Sequence, residues 1–173
     1  MKEINMKKKP MIQTERLILR SFKDQDLKDT LEILCNDEIK ETYMIQDFKS
    51  KDEGIQMFER LKQMSESEDR FVYAIYLNEK LIGFINEVEI KDNTIEVGYV
   101  IHPNLKNHGY ATEVLQASIK ELERMGYKIR VGVFEENIAS RKVIEKCGLK
   151  PIENTEEIEY RGKIHHCVYY ETR

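Results

Sequence analysis

The stretch IEVGYVIHPNLKNHGYATEVLQASIKELERMG (Ile95–Gly126) changes its hydrophobic period once, and that change decides the fold. Ile95 to Ile101 reads as a strand, and Pro103 to Gly109 as a polar loop. From Ala111 onward, Val114, Leu115, Ser118, Ile119, Leu122 and Met125 recur on one helical face, and Gly126 is a natural C′ stop. Ile129 to Phe134 is apolar again. The order is strand, helix, strand, a crossover that belongs to a mixed sheet.

Working outward, Arg16 to Arg20 predicts a first strand. Asp24 to about Asn36 predicts a helix on Leu27, Leu31 and Leu34. A second helix starts at Ser50 or Asp52 and runs through Ile55, Phe58, Leu61 and Met64. Phe71 to Leu77 and Leu81 to Ile90 are strands joined by the turn Asn78-Glu79-Lys80, and Asp92-Asn93 turns the chain into the Ile95 strand. Beyond the crossover, Asn137 caps a short helix with Val143, Ile144 and Cys147 inward, stopped by Gly148. Strands near Lys150 to Ile152 and Lys163 to Glu171 close the chain. The class is α/β (α+β mixed), one domain over residues 14–173 after a basic arm, 1–13.

The 173 residues carry 28 basic and 32 acidic side chains, a net charge of −4. The longest unbroken apolar run, Phe71 to Leu77, is far short of the roughly 20 residues a bilayer-crossing helix needs. Lysines 2, 7, 8 and 9 are followed by Gln13-Thr14-Glu15-Arg16 instead of an apolar stretch, so no secretory signal is expected and the cytoplasm is. The first ten residues hold four Lys and one Glu (+3), which leaves −7 on the rest; such a body suits neither nucleic acid nor a membrane. Cys35, Cys147 and Cys167 are odd in number and widely spaced, which argues for free thiols. No CxxC or HxxxH pair is present. His165, His166 and Cys167 are neighbours on a strand and alternate in direction, so no metal site is expected there.

Lys106-Asn107-His108-Gly109-Tyr110-Ala111 connects a strand directly to the start of a long helix. The first N–H groups of that helix have no intrahelical acceptor and lie at the positive end of its dipole, which suits an anion. The segment is neither a Walker A loop nor a GxGxxG dinucleotide loop. On spacing alone, a strand-to-helix turn with one glycine is also ordinary punctuation.

Three separated signatures resemble one family. Gly98-Tyr99-Val100-Ile101-His102-Pro103 followed by Lys106-Asn107-His108-Gly109-Tyr110-Ala111-Thr112-Glu113 resembles the acetyl-CoA motif of GNAT N-acetyltransferases, with its [Q/R]xxGx[G/A] core. Asn137, Ser140, Val143, Glu145 and Gly148 match that family's NxxSxxVxExxG helix. Thr14-Glu15-Arg16-Leu17-Ile18-Leu19-Arg20 looks like the TERLxLR opening of the RimJ/RimL-like branch, which acetylates ribosomal-protein N-termini. The resemblance implies a GNAT fold with splayed central strands and about four helices. It implies acetyl-CoA held by backbone at Val100, Ile101 and His102, by the loop Lys106, Asn107, His108, Gly109, Tyr110, Ala111 and Thr112, and by Asn137 and Arg141. Lys106 departs from the usual Gln or Arg and offers phosphate a point charge without a planar fork.

Acetyl transfer to an amine needs the free base, whereas an alkyl ammonium has a pKa near 10. Glu96, two residues before Gly98, is the position where the family often carries its general base; an outward-facing strand carboxylate is the plain alternative. A backbone N–H near Val100 is the expected donor to the oxyanion. Ile144 occupies the position where many members carry a Tyr acid, leaving Ser140, one turn earlier, as the remaining hydroxyl; its other reading is a residue that caps its own helix. Cys147 is read as core. The expected activity is acetyl-CoA-dependent N-acetylation of a primary amine, on a protein N-terminus or a small molecule, by direct attack. The alternative is a non-catalytic acyl-CoA-binding module. Residues 36–50 and 153–163 are expected to be loops bordering the acceptor, with Glu153, Glu156, Glu157 and Glu159 drawing in cationic amines. The oligomeric state stays open, a homodimer included.

Overall fold

A computed structural model describes residues 10–173; the lysine-rich first nine lie outside the described residues. One eight-stranded sheet runs β1 (Ile12–Gln13), β2 (Ile18–Arg20), β3 (Val72–Leu77), β4 (Lys80–Lys91), β5 (Thr94–Ile101), β6 (Lys128–Phe134), β8 (Lys163–Glu171), β7 (Lys150–Tyr160). Every neighbouring pair is antiparallel except β5–β6. A parallel pair needs a crossover, and α4 (Tyr110–Arg124) supplies it.

Both faces of the sheet are covered, which is why β3 reads as a continuous apolar run instead of alternating. Phe71, Tyr73 and Ile75 point to one core, shared with Val114, Leu115, Ile119 and Leu122 of α4 and Ile144 of α5 (Ile138–Lys146). Val72, Ala74 and Tyr76 point to the other, beneath α1 (Leu27–Leu34), α2 (Asp37–Thr42) and α3 (Lys51–Glu66). Side-chain oxygens cap three helices: Asn36 Oδ1 accepts from Ile39 N at 3.0 Å, Ser50 Oγ from Glu53 N at 3.4 Å, and Asn137 Oδ1 from Ser140 N at 3.1 Å.

Three tight hairpin turns put both central residues at positive φ: Asn78-Glu79, Asp92-Asn93 and Arg161-Gly162. That backbone matches the right-handed twist of the flanking strands. The first two are legible as turn residues; Arg161-Gly162 is the one the sequence reading missed.

Three expectations need correction. The helix expected over 24–36 is a 3-10 turn at Asp24–Asp26 followed by α1, which ends at Leu34. Residues 37–42, expected within a loop, form α2 under the Asn36 cap. Residues 153–160 belong to β7 and not to a loop, because an eleven-residue strand pairs with β8 across a register shift between Pro151 and Thr155. Its acids therefore divide between faces. Glu156 lies opposite Cys167, whereas Glu157 lies opposite His166 and its carboxylate is 3.9 Å from that ring.

The β7–β8 hairpin is tied to the segment after α2. Tyr160 Oη donates to Ile45 O at 2.7 Å and accepts from Ile45 N at 3.2 Å. Tyr160→Phe should cost about 1 kcal/mol and lower Tm by about 2–4 °C in differential scanning calorimetry. An unchanged Tm would show that other contacts hold the hairpin.

Candidate active site

β5 and β6 pair only at Thr94–Lys128, Ile95–Ile129 and Glu96–Arg130, although β5 continues to Ile101 and β6 to Phe134. Beyond Glu96 the two strands part. Opposite this point β4 carries a bulge, with Val88 extra between Glu87↔Val97 and Glu89↔Glu96, and a bulge bends a strand and steepens its twist. His102 N donates to Ile82 O at 2.7 Å, which fixes the phase of the β4–β5 ladder. The antiparallel alternation then sets the Val100 backbone against Phe84 and turns the N–H and C=O of Tyr99 and Ile101 into the gap. An extended amide chain fits such a slot as an added strand does.

At the mouth of the gap, Gly109 precedes α4 with φ +80°, a left-handed conformation that favours glycine. The first intrahelical bond runs from Glu113 N to Gly109 O at 3.0 Å, so the N–H groups of Tyr110, Ala111 and Thr112 have no acceptor within the helix. Asn107 is also left-handed, and the His108 ring, braced by Lys106 O at 2.7 Å, stacks on Tyr110 at 5.6 Å. Lys106 Nζ is 3.1 Å from Glu38 Oε1 of α2, so its ammonium already has an exposed partner.

Glu113, in the first turn of α4, is held from outside the helix. Thr14 Oγ1 donates to its Oε2; Arg16 N donates to the same oxygen at 3.0 Å, and Arg16 Nε to Oε1 at 2.8 Å. Partial burial pushes this carboxyl up, but the bonds from Thr14 and Arg16 outweigh it and hold it below the ordinary range. Arg16 Nη1 also donates to His108 O at 2.8 Å.

Glu96 stands at the vertex where the strands part, on the sheet face opposite α4. Its half-buried carboxylate has no hydrogen-bond partner among the described residues. Burial holds it above the ordinary range, the Arg130 guanidinium pulls it back, and Glu89 and Glu156 add to the rise. Gly132 makes the room: a Cβ there would lie 2.7 Å from the Tyr169 ring and 3.2 Å from Glu96 Oε1. Tyr169 donates to Glu156 Oε2 at 2.8 Å, and Arg130 is turned to Glu171 at 2.6 Å. The Tyr43 ring covers Gly98 on the same face, its Oη 3.3 Å from Asn86 Oδ1. Nearby, a cleft of about 550 Å³ opens between α2 and the β7–β8 hairpin, lined by Lys40, Thr42, Glu136, Tyr160, Lys163 and His165.

On the α4 side of the gap, Ser140 Oγ is 3.0 Å from Tyr99 Oη, a hydroxyl pair that joins β5 to α5. Burial pushes the Tyr99 phenol up to about 12, with the Ser140 bond opposing, so it keeps its proton at neutral pH. Ile144 is wholly buried in the core beneath α4. Cys147 is only half-buried at the edge of that core; burial pushes its thiol up to about 11, and Sγ lies 3.6 Å from Thr112 O. Asn137 is occupied as the α5 cap, and Arg141 reaches Tyr170 Oη and Glu135 O, each at 3.1 Å.

Sequence reasoning missed Tyr99, Gly132, Tyr169 and the Arg16–Glu113 pair as site residues. For Tyr99 there was a signal, since it sits inside the quoted motif between Gly98 and Val100. Gly132 and Tyr169 gave none, because their proximity to Glu96 arises from three different strands. His165 is buried, its Nδ1 against Glu136 and its ring stacked on Phe134 at 4.2 Å, while His166 faces the opposite side.

Residues 16–150 match the family model described as "Acetyltransferase (GNAT) domain". The chain is 28% identical over 148 residues to a Bacillus subtilis (strain 168) protein named "Uncharacterized N-acetyltransferase YoaA", covering 82% of this chain and 83% of that one. A GNAT-family acetyltransferase structure from Bacillus anthracis superposes with a TM-score of 0.79 at 23% identity, covering 94% of this chain and 97% of that one. RimL, a ribosomal L7/L12 alpha-N-protein acetyltransferase solved with coenzyme A, gives the same score at 15% identity, with the same coverage. These likenesses in structure show the shared fold.

Burial of Glu96 makes its ionisation a stability cost. A carboxyl raised in the folded state contributes fully below the unfolded value of about 4.3, and its contribution is lost as pH rises through the folded value. Glu96→Gln should therefore melt at or above the parent protein at pH 7, with the difference narrowing toward about pH 4. A lower Tm at pH 7 would mean that attraction to Arg130 outweighs burial.

Proposed function

The chain belongs to the GNAT acetyltransferase family, and from that premise we propose that it transfers an acetyl group from acetyl-CoA to a primary amine by direct attack. The observation that carries the reading is the parting of β5 and β6 at Glu96, with the free N–H groups of α4 at one end of the gap. The residues present fit the co-substrate. Outward-turned backbone at Tyr99 and Ile101 suits an extended amide arm, and the N–H groups of Tyr110, Ala111 and Thr112 suit phosphate. Val100 and His102 carry that edge of the gap; Lys106, Asn107, His108 and Gly109 shape the loop, and Asn137 and Arg141 hold the start of α5 beside it. Bound there, acetyl-CoA supplies an activated thioester acyl group.

Glu96 accepts the ammonium proton, directly or through water, and its raised pKa brings it closer to the proton it must take. Arg130 and Glu156 flank it without bonding to it. The oxyanion is met by the N–H groups of Tyr99 or Ile101, neighbours of Val100 that face the gap. The nitrogen–carbon bond forms and the carbon–sulfur bond breaks; the second proton lost by the nitrogen passes to the departing sulfur, so CoA leaves as the thiol, hydrogen-bonded to the Ser140–Tyr99 hydroxyl pair, Ile144 offering none. The amine enters from the Glu96 face through the cleft between α2 and the β7–β8 hairpin. Glu156 is the acid of β7 placed to attract it, since Glu157 points away. The TERLxLR opening favours a RimJ/RimL-like acceptor, a protein N-terminus, over a small amine, and a cytoplasmic setting follows from that reading.

Release of free CoA thiol from acetyl-CoA, in the presence of an amine and a peptide N-terminus panel, tests the reading. Acetyl-CoA binding with no release for any acceptor would favour a non-catalytic binding module instead. Glu96→Gln should cut the rate by about 10² to 10⁴-fold, with the loss shrinking at high pH where the amine is already free base. An unchanged rate near neutrality would remove Glu96 from the chemistry. Gly109→Asp adds an anion beside the free N–H groups and should raise the Kd for acetyl-CoA at least about tenfold in calorimetry. Unaltered binding would overturn the loop assignment.

A further inference from the structure

We infer that Arg16 is a positioning residue of the cofactor loop: it braces His108 and cancels the charge of Glu113, so the N-terminus of α4 stays positive toward the phosphates of acetyl-CoA. The inference rests on the proposed use of acetyl-CoA and adds a part to that site from the turn between β1 and β2, nearly a hundred positions earlier in the chain.

Glu113 raises a problem that the loop by itself cannot solve. A carboxylate in the first turn of a helix complements the dipole, yet here it lies within one turn of the N–H groups assigned to phosphate. Left unpaired, it would repel the ligand. Arg16 answers the charge through the Nε bond to Oε1 at 2.8 Å, and its own backbone N–H takes Oε2 at 3.0 Å.

The same guanidinium reaches the loop. Its Nη1 donates to His108 O at 2.8 Å, and its centre lies 4.5 Å from the middle of the Tyr110 ring, on which His108 stacks. Nη2 lies 3.3 Å from where a Gly109 Cβ would be. One planar group thus touches residues 108, 110 and 113 at once, which a lysine's point charge cannot do. Thr14 sets the approach: its Oγ1 accepts from Leu17 N at 2.9 Å and donates to Glu113, fixing the turn that delivers Arg16. Arg16 itself is well exposed, so the hydrophobic core does not require it.

Calorimetric titration of acetyl-CoA into the full chain separates charge cancellation from plain bracing. Arg16→Ala should weaken binding about tenfold. Adding Glu113→Gln to it should restore affinity to within about threefold of the parent protein. In the double variant the Gln oxygen can still accept from Thr14 and from the backbone N–H of residue 16, with its NH2 in the space the guanidinium leaves. A purely structural clamp predicts the reverse, since the double variant has even less clamp left. Melting curves without ligand report the structural loss separately. The inference falls if Arg16→Ala binds normally, or if the double variant binds as weakly as Arg16→Ala. Failure of the parent protein to bind acetyl-CoA at all would instead overturn the proposed function on which the inference rests.

Discussion

The rest of the site depends on one failure of pairing. β5 and β6 share three residue pairs and then diverge, with the bulge at Val88 bending the β4–β5 ribbon opposite the last of them. A fully zipped parallel pair would consume the backbone groups of Tyr99 and Ile101 and leave no slot. Once the strands part, α4 and α5 bracket the opening on one face, while the other face carries Glu96, Gly98 and Gly132 beneath Tyr43 and Tyr169.

Strand alternation assigns chemistry to those sides. Glu96, Gly98 and the Gly132 space face Tyr43 and Tyr169, whereas Tyr99 crosses under the sheet to Ser140. The amine's proton and the leaving sulfur are accordingly handled on opposite faces in the proposed reaction. Burial sharpens both roles. It raises the Glu96 carboxyl, as the proposed base requires, and moves the Tyr99 phenol further above neutral pH, as the proposed donor requires. Alternation also limits the acidic stretch of β7, because only Glu156 of the adjacent acids 156 and 157 turns toward the Glu96 face.

Two segments distant in sequence close on the centre. Residues 14 to 17 lock onto the first turn of α4, nearly a hundred positions later, while Tyr160 of the last hairpin holds the segment after α2. Both contacts lie far apart in sequence and fix loops that must stay in place without being in the core. Lys106 of the same loop is paired with Glu38 of α2 at 3.1 Å, an exposed contact between the loop and that helix.

Periodicity by itself determined the crossover of Ile95 to Phe134, the amphipathic face of α4, the Asn137 cap and two of the three tight turns. These are local matters: spacing of apolar side chains, a capping oxygen, residues that tolerate positive φ. The motif residues marked the loop proposed for the cofactor and singled out Glu96 in the same way, one position at a time. What tertiary structure decided was everything that requires two strands at once. It extended β7 through residues expected to be a loop, because β8 offered a ladder for polar residues that no hydrophobic pattern marks. It paired Arg16 with Glu113, Tyr99 with Ser140 and Gly132 with Tyr169, since a hydrogen bond or a missing Cβ has meaning only once the sheet has set which residues meet. It also set the direction of the Glu96 shift, because desolvation is a property of the packed surroundings and not of the glutamate.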